Sequence, residues 1–159
     1  MKTISKYETK REEVKAKKKN AKLYPIYKMF SWDLLFFYST QYLFLTQMKG
    51  ISAGDILKAD AFYPLFIIIM QLPAAICADF LGRKKSIVAG NFIMMLYVFT
   101  LIIVPNIAGL IFANIIYAFG YSLKAVQETN LLYDSTATRG GEGLYPKINS
   151  KGATGYYVL

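Results

Sequence analysis

The chain alternates between long apolar stretches and short charged ones. Four runs of about twenty residues are nearly free of charge: 29–48 ("MFSWDLLFFYSTQYLFLTQM"), 59–78 ("ADAFYPLFIIIMQLPAAICA"), 86–104 ("SIVAGNFIMMLYVFTLIIV") and 107–127 ("IAGLIFANIIYAFGYSLKAVQ"). A helix rises 1.5 Å per residue, so about 20 residues cross a hydrocarbon core of roughly 30 Å. Each run is too long for a strand and lacks strict alternation, and in lipid the backbone must satisfy its own polar groups. The pattern therefore predicts an all-α, polytopic membrane protein with four transmembrane helices. The connections are short enough to make consecutive helices antiparallel hairpins. Pro64 and Pro73 fall inside the second run, where a membrane helix tolerates a kink.

Composition strengthens this picture. Of 159 residues, 55% are hydrophobic and 16% aromatic, and mean hydropathy is +0.31. Charge then orients the spans. The 19 Lys and Arg concentrate before the first run, in the loop before the third and after the fourth, while only Lys49 and Lys58 fall in the remaining connections. The positive-inside rule places the N-terminus, the loop "DFLGRKKS" (79–86) and the segment after the fourth helix in the cytoplasm, with the plasma membrane as the expected location.

Residues 1–28 are expected to be a basic cytoplasmic tail. Its glutamates dilute the charge and no aromatic platform accompanies it, so it reads as a solvated topogenic arm, with anionic lipid as the competing partner and no nucleic acid expected. Residues 128–151 are expected to form a cytoplasmic loop, and 152–159 the start of a fifth transmembrane helix cut short.

Catalytic chemistry has little to work with. There is no histidine and Cys77 is the single cysteine, which removes zinc ligand sets, thiol pairs and His-based triads. No Gly-rich phosphate loop is present. Asp33, Asp79 and Asp134 lack a paired acid and base at defined spacing, so no enzyme, metal or cofactor is expected.

Polar residues inside the spans are the remaining signal. Asp33, Thr40 and Gln47 recur every seven residues, with Phe37, Gln41 and Phe44 beside them, which gives the first helix one polar and aromatic face. Asp33 reads equally as an interfacial charge near Lys28 or as the lining of a watery path. In the fourth helix Asn114, Tyr117, Tyr121, Lys124 and Glu128 share a face. Asn114, Tyr117 and Tyr121 are expected to line a cavity, and Lys124 to reach cytoplasmic headgroups. In the second helix Tyr63 and Gln71 are inward candidates, although Gln71 also suits a bond to a neighbouring helix.

The segment "AAICADFLGRKKS" resembles the signature loop between the second and third helices of the major facilitator superfamily: a Gly, three residues, Asp, two residues, then Gly, Arg and a further basic residue. Asp79, Gly82, Arg83 and Lys84 match, whereas Ala75 stands where the family usually has Gly and Phe80 where it often has a basic residue. The following "NLLYDS" is similar to an acidic element after the fourth helix. The resemblance implies a major-facilitator-type bundle that transports a small solute, as permease or exporter, by alternating access. It implies a cytoplasmic latch in which Asp79 faces a helix N-terminus in the other half of the transporter. Arg83 would pair with a carboxylate after the fourth helix, Asp134 first and Glu128 second.

Such transporters have two six-helix halves, so the chain is expected to be a fragment whose partner is the missing C-terminal part. The resemblance admits coupling to protons or another ion without selecting one. Two other readings stay open: a complete four-helix protein, such as a dimeric drug exporter with Asp33 as its acid, and a non-transporting membrane adaptor.

Overall fold

The computed structural model describes residues 2–31, 35–137 and 144–158, and every regular element among them is helical. In chain order these are α1 (Lys2–Ser31), α2 (Leu35–Leu43) continued by a π-helical turn (Phe44–Met48), α3 (Ala53–Ala61), α4 (Tyr63–Leu81), α5 (Arg83–Ile103), α6 (Ile107–Ala137) and α7 (Leu144–Val158). They fall into two compact units: Leu34–Glu128, and Met1–Asp33 with Thr129–Leu159.

Three helical stretches are long and apolar enough to cross a membrane: Ala53–Leu81, Arg83–Ile103 and Ile107–Ala137. They contain the second and fourth expected spans and all but the last residue of the third, and fit a multi-pass membrane protein. The expected first span includes residues 32–34, outside the described residues; from Leu35 to Met48 it is helical.

Local chemistry sets where these helices start and stop. The Ser52 hydroxyl accepts the Asp55 N–H at 3.1 Å, capping α3. Pro64, in the first turn of α4, has no N–H to lose there, so the chain breaks at Phe62 and a new helix begins. Pro73 lies within α4. At the start of α6 the Asn106 side-chain oxygen accepts the Gly109 N–H at 3.1 Å.

The interior of the larger unit has two apolar clusters. Leu45, Ile51, Ile56, Ala59, Tyr97, Leu101, Val104, Leu110, Ala113 and Tyr117 form one, and Ala74, Ala78 and Leu123 the other. Around them, α4 and α5 turn large apolar side chains outward: Leu72 is 71% exposed and Ile103 79%. A patch of that kind is a liability in water and an ordinary lipid-facing surface in a bilayer.

In the smaller unit α7 packs on α1. The approach is close at two glycines, where an added Cβ would lie 2.7 Å from the Lys28 Cβ at Gly152 and 2.5 Å from the Met29 Cγ at Gly155. Ala21, Tyr24, Leu132, Ser135 and Thr136 are buried there. The Ser135 and Thr136 hydroxyls donate to the Leu131 and Leu132 carbonyls of their own helix, so each of these two buried hydroxyls has an acceptor. Two boundaries thus differ from expectation: α6 continues past Gln127 to Ala137, and α7 begins at Leu144, within the expected loop. Packing stabilises both stretches despite their Ser, Thr and Gly content. The basic N-terminal segment is helical, and most of its side chains from Lys10 to Lys19 are exposed, including an ion pair of 3.1 Å between Lys15 and Glu12.

Candidate functional site

The inward face of α6 carries the polar stripe expected there. Asn114, Tyr117, Lys124 and Glu128 are buried and Tyr121 is half-buried, at the three- and four-residue intervals that keep a helix face together. Asn114 Nδ2 donates to the Ala59 carbonyl at 3.2 Å and to Asp60 Oδ1 at 3.3 Å. These bonds hold α6 against the end of α3. One turn further along, Tyr117 is the hub of an aromatic cluster. Its ring centroid lies 4.8 Å from Tyr97 of α5, 5.5 Å from Tyr63 of α4 and 6.4 Å from Tyr121. Phe37 of α2 extends the cluster, 6.3 Å from Tyr97.

Lys124 does not reach outward as expected. Its side chain is 5% exposed, and its Nζ lies 3.7 Å from Glu128 Oε1, whose side chain is 4% exposed. The reason is steric and electrostatic. Gly90 of α5 and Gly120 of α6 let the two helices meet closely beside Lys124. The carboxylate four residues on then offers a partner inside the bundle.

The other candidates are distributed differently. Thr40 and Gln71 are exposed, while Gln41 is half-buried with its Oε1 buried and without a hydrogen-bond donor among the described residues. Asp33 lies outside the described residues. Asp79, Arg83 and Lys84 are exposed at the junction of α4 and α5. Gly82 makes that junction in a single residue, with φ 77° and ψ 156°, and its carbonyl accepts both the Ser86 N–H and the Ser86 hydroxyl at 3.0 Å. Asp134 is half-buried and belongs to the smaller unit, Arg83 to the larger.

Two residues of this site were not among the sequence candidates. Asp60 is the only charged residue between Ala59 and Ala78, and that isolation within an apolar run was its signal. Tyr97 carried a weaker one, as a phenol in the middle of "IMMLYVFTLIIV". What the arrangement offers chemically is a carboxylate, an amide and four phenol rings on the facing sides of three membrane-length helical stretches. No protein-family model, curated protein or solved structure matches this chain.

Proposed function

We propose that this chain is a multi-pass plasma-membrane protein, with its N-terminus in the cytoplasm, that works within a transporter of the major facilitator type and moves a small solute by alternating access. The observation that carries the reading is the α4–α5 junction. Asp79, Arg83 and Lys84 stand exposed on a one-glycine turn between two membrane-length helices, where the resemblance calls for a cytoplasmic latch. Lipid-facing helices need no such charges beyond those that orient them. A carboxylate beside a helix N-terminus and an Arg beside a carboxylate are contacts that form in one state and break in another. The polar stripe of α6 supports the same reading, because ionisable and amide groups held within a membrane bundle mark solute or ion pathways.

The test is solute flux in vesicles, with membrane insertion measured in parallel. Asp79→Asn and Arg83→Ala are expected to lower flux several-fold while insertion stays at the wild-type level. Unchanged flux in both variants would refute the latch.

A further inference from the structure

We infer that Asp60 and the tyrosines around Tyr117 form a binding site for an organic cation of the quaternary ammonium kind. The inference rests on the transport reading, whose substrate class it supplies.

The first observation is an unbalanced charge. Asp60 is the single charge of its apolar stretch, and among the described residues its carboxylate takes one hydrogen bond, from the neutral Asn114 amide. The proposed orientation places two cations on this side of the membrane, and both are engaged elsewhere. Lys58 Nζ bonds Asp55 Oδ1 at 3.2 Å, and Lys49 Nζ donates to the Ile102 carbonyl at the end of α5. Asp60 is exposed, so its carboxylate is open to a cationic ligand, which would supply the countercharge that Lys49 and Lys58 do not.

The second observation is what surrounds it. Tyr63 stands three residues after Asp60, and Tyr117 three residues after Asn114. Their ring centroids lie 5.5 Å apart, and those of Tyr97 and Tyr121 lie 4.8 and 6.4 Å from Tyr117. Phenol faces carry negative electrostatic potential and attract cations within about 6 Å of the ring centroid, most strongly cations that lose little hydration. An alkylammonium meets that condition, whereas a small inorganic ion, which demands several oxygen ligands, does not. Asn114 is the positioning residue: it bonds the Asp60 carboxylate from the helix that carries Tyr117, three residues before that ring.

The test compares phenyltrimethylammonium with its neutral isostere, tert-butylbenzene, by titration calorimetry on the purified full chain in an uncharged detergent. The cation should bind saturably and at least about tenfold more tightly than the isostere. Asp60→Asn should weaken the cation about tenfold or more, and Asp60→Glu should restore part of the loss. Tyr117→Phe should keep the affinity within about twofold, because it keeps the ring, and Tyr117→Leu should not. Equal affinity for the two probes, or full affinity in a folded Asp60→Asn protein, overturns the site. The probe comparison uses only the wild-type chain and decides even where a variant fails to fold. Binding without any solute flux in vesicles would refute transport and leave this site standing. A chain that moves other solutes but does not bind the cation would refute the site alone.

Discussion

Gly90 and Gly120 bring α5 and α6 into backbone contact. A Cβ on Gly90 would lie 2.7 Å from the Gly120 carbonyl oxygen, and one on Gly120 would lie 2.9 Å from the Gly90 carbonyl. Helices within a bilayer gain little from hydrophobic exclusion, so close approach through small residues is a main source of their association. This crossing also sets how deeply Lys124 and the residues on its face are enclosed.

Gly90→Ala is therefore expected to destabilise the protein. An alanine gains up to about 1 kcal/mol of helix propensity, but overpacking against backbone that cannot rotate away costs about 1–3 kcal/mol. Gly54→Ala is the control, since its Cβ would meet only the Ser52 Oγ at 3.8 Å. Thermal unfolding in detergent should show a lower midpoint for Gly90→Ala and an unchanged or higher one for Gly54→Ala.

Gly82 predicts a different signature. Its φ of 77° with ψ of 156° lies in a region reserved for glycine, yet nothing stands within 4 Å of a Cβ placed there. The cost of substitution is backbone strain alone, about 1–3 kcal/mol. Gly82→Ala and Gly82→Leu should lower the unfolding midpoint by similar amounts, whereas Gly90→Leu should be far worse than Gly90→Ala. A large difference between the two Gly82 variants would place hidden contacts at the turn.

The stripe of α6 was legible because a 3.6-residue period fixes which residues share a face, and an unbroken helix preserves it from Asn114 to Glu128. The period does not say which way a face turns, and so Thr40 and Gln71, equally polar, are exposed. Asp60 went unnoticed because a charge near the start of a span reads as part of the loop; its role becomes visible only through Asn114, whose amide lies far away in sequence. The last turns of α6 and the first turns of α7, up to Lys151, were hidden for a related reason. Their Ser, Thr and Gly residues argue against helix locally, and the contacts at Gly152 and Gly155 that offset this are tertiary.

Asn114→Leu should weaken the tie between α6 and α3. It removes the donor to Asp60 and one of two donors to the Ala59 carbonyl, which keeps the Phe62 N–H at 3.3 Å. The expected loss is about 0.5–1.5 kcal/mol, the net contribution of an ordinary hydrogen bond, because water can replace the amide at the exposed Asp60 carboxylate. A double-mutant cycle with Asp60→Leu should give a coupling of about 0.5–3 kcal/mol. Additive losses would show that the two side chains act independently.

The Lys124–Glu128 pair makes the sharpest energetic prediction, because both side chains are almost wholly enclosed and 3.7 Å apart. Enclosure costs each ion several kcal/mol of solvation, which their attraction offsets only while both are charged and together. Removing one member deprives the other of this enclosed counter-ion, so Lys124→Met and Glu128→Leu should each destabilise, by up to about 3–5 kcal/mol. The double variant removes both desolvation costs along with the attraction and should recover most of the loss. Unfolding midpoints of the three variants in detergent check this. A double variant as unstable as the sum of the singles would mean that Lys124 and Glu128 are held by other groups rather than by each other. Recovered stability combined with abolished solute flux would separate a functional role for the pair from a structural one.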